Sequence, residues 1–338
     1  MPSRLSIVVV NYRSAGLAAD CLRSIAAQRD EVAALHAIVA DNASGDDSVG
    51  TLARLIEQED WERWASVLPL QRNGGFAFGN NAGIRAALES QAPPDYILLL
   101  NPDTVCRPGA IRALVEFMDE RPRAGIAGSL LQDARGAPAY SAHNFFTPLG
   151  ELESGARLGL LSRVLRRYSV ASPFRDYAHE CDWVSGAALI VRRAVLEQIG
   201  LLDEGYFLYF EEVDFCLRAR KAGWQVWFVP ESVVVHFEGA TTGIHDVARR
   251  RPRYWYDSRR RYFVKHHGIS GLLAADAFWA LGRASLAARK ALRLGSGGAS
   301  RDPKGFATDV LWGDLRALAT GELWNISRTR DRTTSASS

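Results

Sequence analysis

The chain has 338 residues, 47% of them hydrophobic, with 41 Lys and Arg against 38 Asp and Glu, for a formal charge of +3. That length holds one large domain or two smaller ones, and that apolar content fills a core, which excludes global disorder. The near-balanced charge gives no whole-chain basis for nucleic-acid binding, and no apolar run approaches the ~20 residues of a membrane-spanning helix.

Leu5 to Val10 has the β-branched pattern of a buried parallel strand. Leu17 to Gln28 follows with helical spacing, and His36 to Ala40 is a second strand ending at Asp41-Asn42. Thr51 to Gln58 is a predicted helix, Ser66 to Leu70 a third strand and Asn80 to Glu89 a helix. Tyr96 to Leu100 is another apolar strand, ending at Asn101-Pro102-Asp103. Pro108 is expected in the first turn of a helix reaching Met118. Strands alternating with helices over residues 1–120 indicate an α/β fold. Ligands of such sheets sit at the carboxyl ends of the strands, where Asn11-Tyr12, Asp41-Asn42 and Asn101-Pro102-Asp103 fall.

Residues 130–180 lack periodicity. Val184 to Val191 has a strand pattern, Arg193 to Ile199 is a short helix closed by Gly200, and Glu211 to Ala222 is a helix closed by Gly223. Gln225 to Val229 and Val233 to His236 are two short strands. From about Ala248 the chain turns basic and helical. Arg249, Arg250, Arg251, Arg253, Arg259, Arg260, Arg261 and Lys265 suggest a local basic patch for phosphates or an anionic membrane. Ala274 to Leu294 has the look of an interfacial helix, or of a helical cap packed on the catalytic domain. Gly295 to Ala299 is a linker and Thr329 to Ser338 a disordered tail. The four cysteines form no CxxC pair and have no His at zinc spacing, and the Met-Pro-Ser-Arg start is unlike a signal peptide. Both point to a reducing cytoplasm.

Several segments carry chemistry. Asp103, just past a buried strand, can ligate a divalent cation or cap a turn. Asn73, Gly75 and Asn80 lie in a Gly- and Asn-rich stretch leading into a helix N-terminus, a setting that favours phosphate. Its spacing is not a dinucleotide fingerprint. Asp41 can accept from a base or ribose, or form an Asx turn. Glu211, Glu212 and Asp214 open a helix, where acids suit the helix dipole. Adjacent carboxylates also raise one another's pKa, which suits a general base. Arg218, four residues after Asp214, is placed to pair with it. His236, at a strand end, fits a structural role or a ligand to metal or phosphate.

Taken together, Val8-Val9-Val10-Asn11-Tyr12, Asp41-Asn42-Ala43-Ser44, Asn73 to Asn81, Asn101-Pro102-Asp103, Ser185-Gly186-Ala187, Phe210 to Asp214 and His236 resemble, in order, the family 2 inverting glycosyltransferases. Ser258 to Gly268 is similar to the rhamnosyltransferase-like members that build cell-surface polysaccharides. The resemblance implies a GT-A (Rossmann-like) fold: a mixed, mostly parallel sheet flanked by helices, with a C-terminal helical extension. It implies a catalytic domain over 1–245 (nucleotide-sugar half 1–125, acceptor half 126–245), a basic helical extension over 246–328 and a tail over 329–338.

It implies donor contacts from Asn11, Asp41, Asn73, Gly75, Asn80, Asn101 and Asp103, and a Mg²⁺ or Mn²⁺ ion on Asp103 and His236. Glu212 would deprotonate the acceptor hydroxyl, with Glu211 beside it. Trp183, Gly186, Asp214 and Trp224 would serve the acceptor. The partners implied are a nucleotide-diphosphate sugar (by resemblance, dTDP-rhamnose) and a glycan or polyprenyl-linked acceptor. The place implied is the cytoplasm, peripheral on the inner face of the plasma membrane. The family's metal motif is usually Asp-any-Asp, whereas Asn101 stands at its first position here. Two rival expectations are a sugar-phosphate nucleotidyltransferase, whose N-terminal Gly-rich loop is lacking at Asn11 to Gly16, and a basic module binding membrane or nucleic acid around Arg249 to His267.

Overall fold

A computed structural model describes residues 3–32, 34–139, 141–237, 248–292 and 302–327, the side chain of residue 160 aside. The expected linker and tail lie outside these residues. In chain order the elements are β1 (Arg4–Asn11), α1 (Ala15–Ala26), β2 (Ala34–Asp41), α2 (Ser48–Gln58), β3 (Ala65–Pro69), α3 (Phe76–Leu88), β4 (Tyr96–Leu100), β5 (Thr104–Cys106), α4 (Ala110–Glu120) and β6 (Ala124–Gln132). Then come β7 (Pro138–Ala139), β8 (Ala142–His143), α5 (Pro148–Ala156), α6 (Gly159–Val164), β9 (His179–Glu180), β10 (Trp183–Val184), β11 (Ala188–Arg192), α7 (Arg193–Ile199), α8 (Glu211–Lys221), β12 (Gln225–His236), α9 (Arg253–Ala291) and α10 (Phe306–Ala319).

The chain packs as two units. The first comprises Met1–His143, Pro173–Phe207 and Glu211–Gly243; the second comprises Asn144–Ser172, Leu208–Phe210 and Ile244–Ser338.

The first unit is built on a mixed sheet in the order β3-β2-β1-β4-β11-β6-β12-β5, with β7 beside β6 and β9 beside β12. On that path β11 and β5 run against the other strands. The apolar runs of β1, β2 and β4 are buried on both faces, as parallel strands covered by helices must be. Helices α1, α2 and α4 contribute Leu22, Ile25, Leu52, Ile111 and Leu114 to the core.

Three local expectations are corrected. Pro108 lies outside α4, because Gly109 takes a left-handed φ of 78° and the helix starts at Ala110. The run Val184 to Val191 is two strands in different sheets: Val184 pairs with β8, and β11 begins at Ala188 beyond a crossing at Ser185–Ala187. Gln225 to His236 is one strand rather than two. Pro230 and its neighbours form a bulge between Val229 and Val233, where the missing proline N–H interrupts the ladder.

The second unit is helical. In α5 and α9, Gly155 lies against the Trp279 carbonyl and Gly282 against the Ala156 amide, so the two backbones approach where no Cβ would fit. Gly268, at φ 74°, breaks α9 into two helical stretches. Phe146, Phe210, Trp255, Tyr262 and Phe306 form an aromatic cluster.

The expected basic patch is partly internal. Arg259 and Arg260 are buried and bind Asp276 and Asp314, and Arg259 also lies 3.6 Å from Glu151. Arg250 pairs with Asp309, and Arg251 stacks on Trp255. Arg253 remains open to solvent. The stretch Ala274 to Leu294, as far as it is described, buries Ala275, Asp276, Trp279 and Gly282 while exposing Leu281 and Leu292. Among the described residues no helix is long and apolar enough to cross a membrane.

Candidate active site

Parallel register brings the carboxyl ends of β1 and β2 together, pairing Asn11 with Asp41. Asn11 is fully buried and donates to Asp41 Oδ2 at 2.7 Å. Ser44 donates its hydroxyl to Asp41 Oδ2 at 2.6 Å and its amide to Asp41 Oδ1 at 3.0 Å. Both carboxylate oxygens of Asp41 are thus engaged in closing the loop that follows β2. Arg13 reinforces that loop through its amide to Ser44 Oγ and its guanidinium to the Ser44 carbonyl, and it stacks on the exposed Tyr12 ring. The residue classes around Asn11 gave no signal for Arg13.

The Gly- and Asn-rich stretch is braced in the same way. Asn42 donates to Asn73 Oδ1 and to the Gly75 carbonyl, both at 3.0 Å, and Asn73 accepts from the Gly75 amide. Gly75 has a φ of 90°, and a Cβ there would lie 2.1 Å from the Phe207 carbonyl oxygen, which accepts from the Phe76 amide. Only glycine meets both demands. Asn42 was part of the quoted motif, but its role as the brace becomes visible only in three dimensions. Asn80 is buried and donates to the Phe76 carbonyl, while its Oδ1 receives no hydrogen bond.

The next cluster joins the end of β4 to the end of β12. Thr104 pairs with His236 across β5 and β12, which sets His236 Nε2 3.2 Å from Asp103 Oδ1 and 3.3 Å from Asn101 Nδ2. Asp103 is buried. The oxygens Asn101 Oδ1 and Asp103 Oδ1 are buried and accept no well-aligned hydrogen bond. Native proteins seldom leave such oxygens without a donor. Hard oxygens beside an imidazole match the preferences of Mg²⁺ or Mn²⁺, so these residues fit such an ion. Among the described residues, no group of three or more His, Cys, Asp and Glu side chains is placed to hold a metal. The cluster has one carboxylate, with a carboxamide where a second would stand.

The same rim reaches α8. The Asn101 amide donates to the Ala187 carbonyl at 3.0 Å, and a Cβ on the neighbouring Gly186 would lie 3.5 Å from Glu212 Cβ. Asp103, His236 and Gly186 therefore lie along the rim at the carboxyl ends of β4 and β12, and Glu212 of α8 borders it at Gly186. Tyr209 and Phe210, just before α8, have φ of 71° and 70°, a costly conformation for large side chains.

The three acids of α8 have separate fates. Asp214 is fully buried and bonds to Arg218 at 2.8 Å, which makes it a structural anchor rather than an acceptor contact. Glu211 is buried with an Oε2 that makes no hydrogen bond. Burial, reinforced by the Glu212 charge, holds its pKa well above the usual carboxylate range. Glu212 is only half-buried.

Two of the expected acceptor residues have partners within the protein. Trp183 is buried and one face of its ring is stacked on His143, with centroids 4.2 Å apart. Trp224 precedes the start of β12, at the opposite edge of the sheet from His236, where it packs on Gly125 and bonds to Gln198.

Residues 2–258 match a family model described as glycosyltransferase like family 2. An N-acetylglucosaminyl-diphospho-decaprenol L-rhamnosyltransferase of Mycobacterium tuberculosis is 31% identical over 274 residues, covering 77% of this chain and 83% of the relative. A dTDP-rhamnosyl transferase, RfbF, of Shigella flexneri is 27% identical over 207 residues, covering 60% of this chain and 64% of the relative. Among solved structures, a mannosyltransferase of Pyrobaculum calidifontis in complex with GDP-mannose and Mn²⁺ aligns with a TM-score of 0.54 at 17% identity. The alignment covers 99% of this chain and 87% of that one, a likeness of fold.

Proposed function

From the premise that the chain belongs to glycosyltransferase like family 2 and is a glycosyltransferase, we propose that it moves rhamnose from a dTDP donor to a polyprenyl-linked glycan, with inversion and with a divalent metal. One observation carries this reading. Buried oxygens of Asn80, Asn101 and Glu211 make no hydrogen bond, and Asp103 Oδ1 has the His236 imidazole 3.2 Å away without a well-aligned one. A bound nucleotide sugar with its cation would supply the missing partners. The names of the two bacterial relatives support rhamnose, and the decaprenol-linked substrate in one of those names supports a lipid-linked acceptor. Such an acceptor would be met at a membrane surface, on its cytoplasmic face.

Asp103 and His236, with Asn101 Oδ1 beside them, would hold Mg²⁺ or Mn²⁺. When bound, the ion supplies Lewis-acid neutralisation of the diphosphate. Gly75 lets the backbone at the start of α3 come close to the donor, and Asn73 and Asn42 keep that loop in shape. Asn11 holds Asp41, and with it the loop that would border the base.

Glu212, half-buried and beside Gly186, takes the proton from the acceptor hydroxyl. The acceptor oxygen forms its bond to the anomeric carbon as the bond from that carbon to the diphosphate oxygen breaks, in a single displacement. Glu211, whose pKa is raised by burial and by the Glu212 charge, would offer a hydrogen bond to a sugar hydroxyl.

The test is a panel of nucleotide sugars scored by nucleoside-diphosphate release, with a polyprenyl-diphosphate-linked N-acetylglucosamine acceptor, with Mn²⁺ or with chelator. Release from dTDP-rhamnose alone, abolished by chelator, is the expected result. Pyrophosphate release from a nucleoside triphosphate and a sugar phosphate, with no transfer, would overturn it in favour of a nucleotidyltransferase.

A further inference from the structure

The second unit carries an outward face with no part in the chemistry above. On α10 and the helical stretch 322–327 that follows it, Trp312 is 69% exposed, Leu315 52% and Trp324 58%. The opposite side of the same segment is packed: Val310, Asp314, Ala317 and Leu323 are buried. Trp312, Leu315 and Ala319 follow the spacing of one helical stripe, and all three are exposed. Soluble surfaces seldom gather two tryptophans and a leucine without a partner.

The charges of this segment are sorted by side. Its acids turn toward arginines of the same unit: Asp302 to Arg157 and Arg283, Asp309 to Arg250, Asp314 to Arg259 and Arg260, and Glu322 to within 3.5 Å of Arg260. Lys304 and Arg316 are left exposed to solvent on the segment. The outward face is therefore apolar and aromatic with cationic flanks, although residues 302–327 contain more acids than bases in sequence.

We propose that this face docks on an anionic lipid bilayer, with Trp312, Leu315 and Trp324 entering the headgroup boundary and Lys304 and Arg316 meeting lipid phosphates. Tryptophan favours that boundary because its ring is apolar while its N–H stays hydrogen-bonded, and cations near the surface gain from the negative potential. A shallow amphipathic face of this kind binds without crossing. The inference rests on the reading that the acceptor is lipid-linked, and it moves the contact from the arginine-rich start of α9, whose Arg259 and Arg260 are internal, to α10.

The experiment uses the full chain and co-sedimentation with vesicles of phosphatidylcholine, with and without phosphatidylglycerol, at low and high salt. Wild type is expected to bind the phosphatidylglycerol vesicles at low salt and to release at high salt. The double variant Trp312→Ala, Trp324→Ala is expected to bind about tenfold or more weakly. The double variant Lys304→Glu, Arg316→Glu, which leaves the rings in place, is expected to lose the preference for anionic lipid. Both variants should keep wild-type nucleoside-diphosphate release with a short, water-soluble acceptor analogue.

Absence of wild-type binding at low salt, or equal binding by the tryptophan variant, would overturn the proposal. So would light scattering that finds a wild-type dimer, a monomeric tryptophan variant and no vesicle binding, since the face would then join two copies. A chain that transfers sugar but ignores vesicles removes the docking alone; one that binds vesicles and transfers nothing removes the catalytic reading alone.

Discussion

The two units both bury charged side chains, and they settle them in opposite ways. In the second unit, Arg259 and Arg260 are surrounded by Asp276, Asp314, Glu151 and Asp257. At the rim of the first unit, Asp103 has one imidazole beside it, and oxygens of Asn80, Asn101 and Glu211 have no hydrogen-bond partner. Buried charge answered by opposite charge belongs to the architecture, even where a nitrogen such as Arg259 Nη2 makes no hydrogen bond, whereas buried oxygens at the strand ends without a cation beside them suit a bound ligand. If that contrast holds, substitutions at the rim cost activity and spare the fold, and substitutions in the helical network do the reverse.

The largest effect is expected at Glu212. Glu212→Gln should lower turnover by about 10²–10⁴-fold, the usual cost of losing a general base, with donor binding and the circular dichroism spectrum unchanged. Near-wild-type kcat would break the assignment. Next is Arg259→Ala, which strands buried carboxylates and should cost about 3–5 kcal/mol in denaturant unfolding. A cost within experimental error would mean that the network is not structural.

A smaller, pH-dependent effect is expected at Asp276, whose carboxyl is pushed up to about 7. Burial raises it, Arg259 offsets part of that, and the Asp314 charge adds to the rise. The folded chain then keeps a proton that the unfolded chain gives up near pH 4. The stabilisation from this group is complete below that pH and is lost as pH rises through about 7. Thermal melts from pH 4 to 8 should show wild type losing stability relative to Asp276→Asn across this window; parallel curves would sink the idea.

The smallest change in stability is expected for Asp103→Asn. Removing an under-satisfied buried carboxylate should leave the melting temperature unchanged or slightly raised, while Mn²⁺-dependent donor binding falls by more than the ~10–100-fold of an outer-shell loss. A clear drop in melting temperature would place Asp103 among the structural charges instead.

Much of the first unit was legible in the chain, because a buried parallel strand is a short local run and a helix N-terminus a short local pattern. The ends of β1, β2 and β4 could be aligned on one rim for that reason. The split of Val184 to Val191 into two sheets could not be seen, since a continuous apolar run reads the same whether it serves one strand or two. Nor could the fate of Trp224: a tryptophan carries no mark of which edge of a sheet it will occupy. The i,i+4 spacing to Arg218 already hinted at a pair for Asp214, but its full burial, which sets it apart from Glu212, came only with the fold.

The sequence by itself determined the alternation of strands and helices, the order of the motifs and the residues at the strand ends, because these depend on neighbours within a few positions. Tertiary structure alone decided which charges would be used up and which left open. Arg259 and Asp314 are 55 positions apart, and Asn101 and His236 are 135 apart. No local periodicity carries information over such separations; only the packing of distant elements sets which buried group finds a partner.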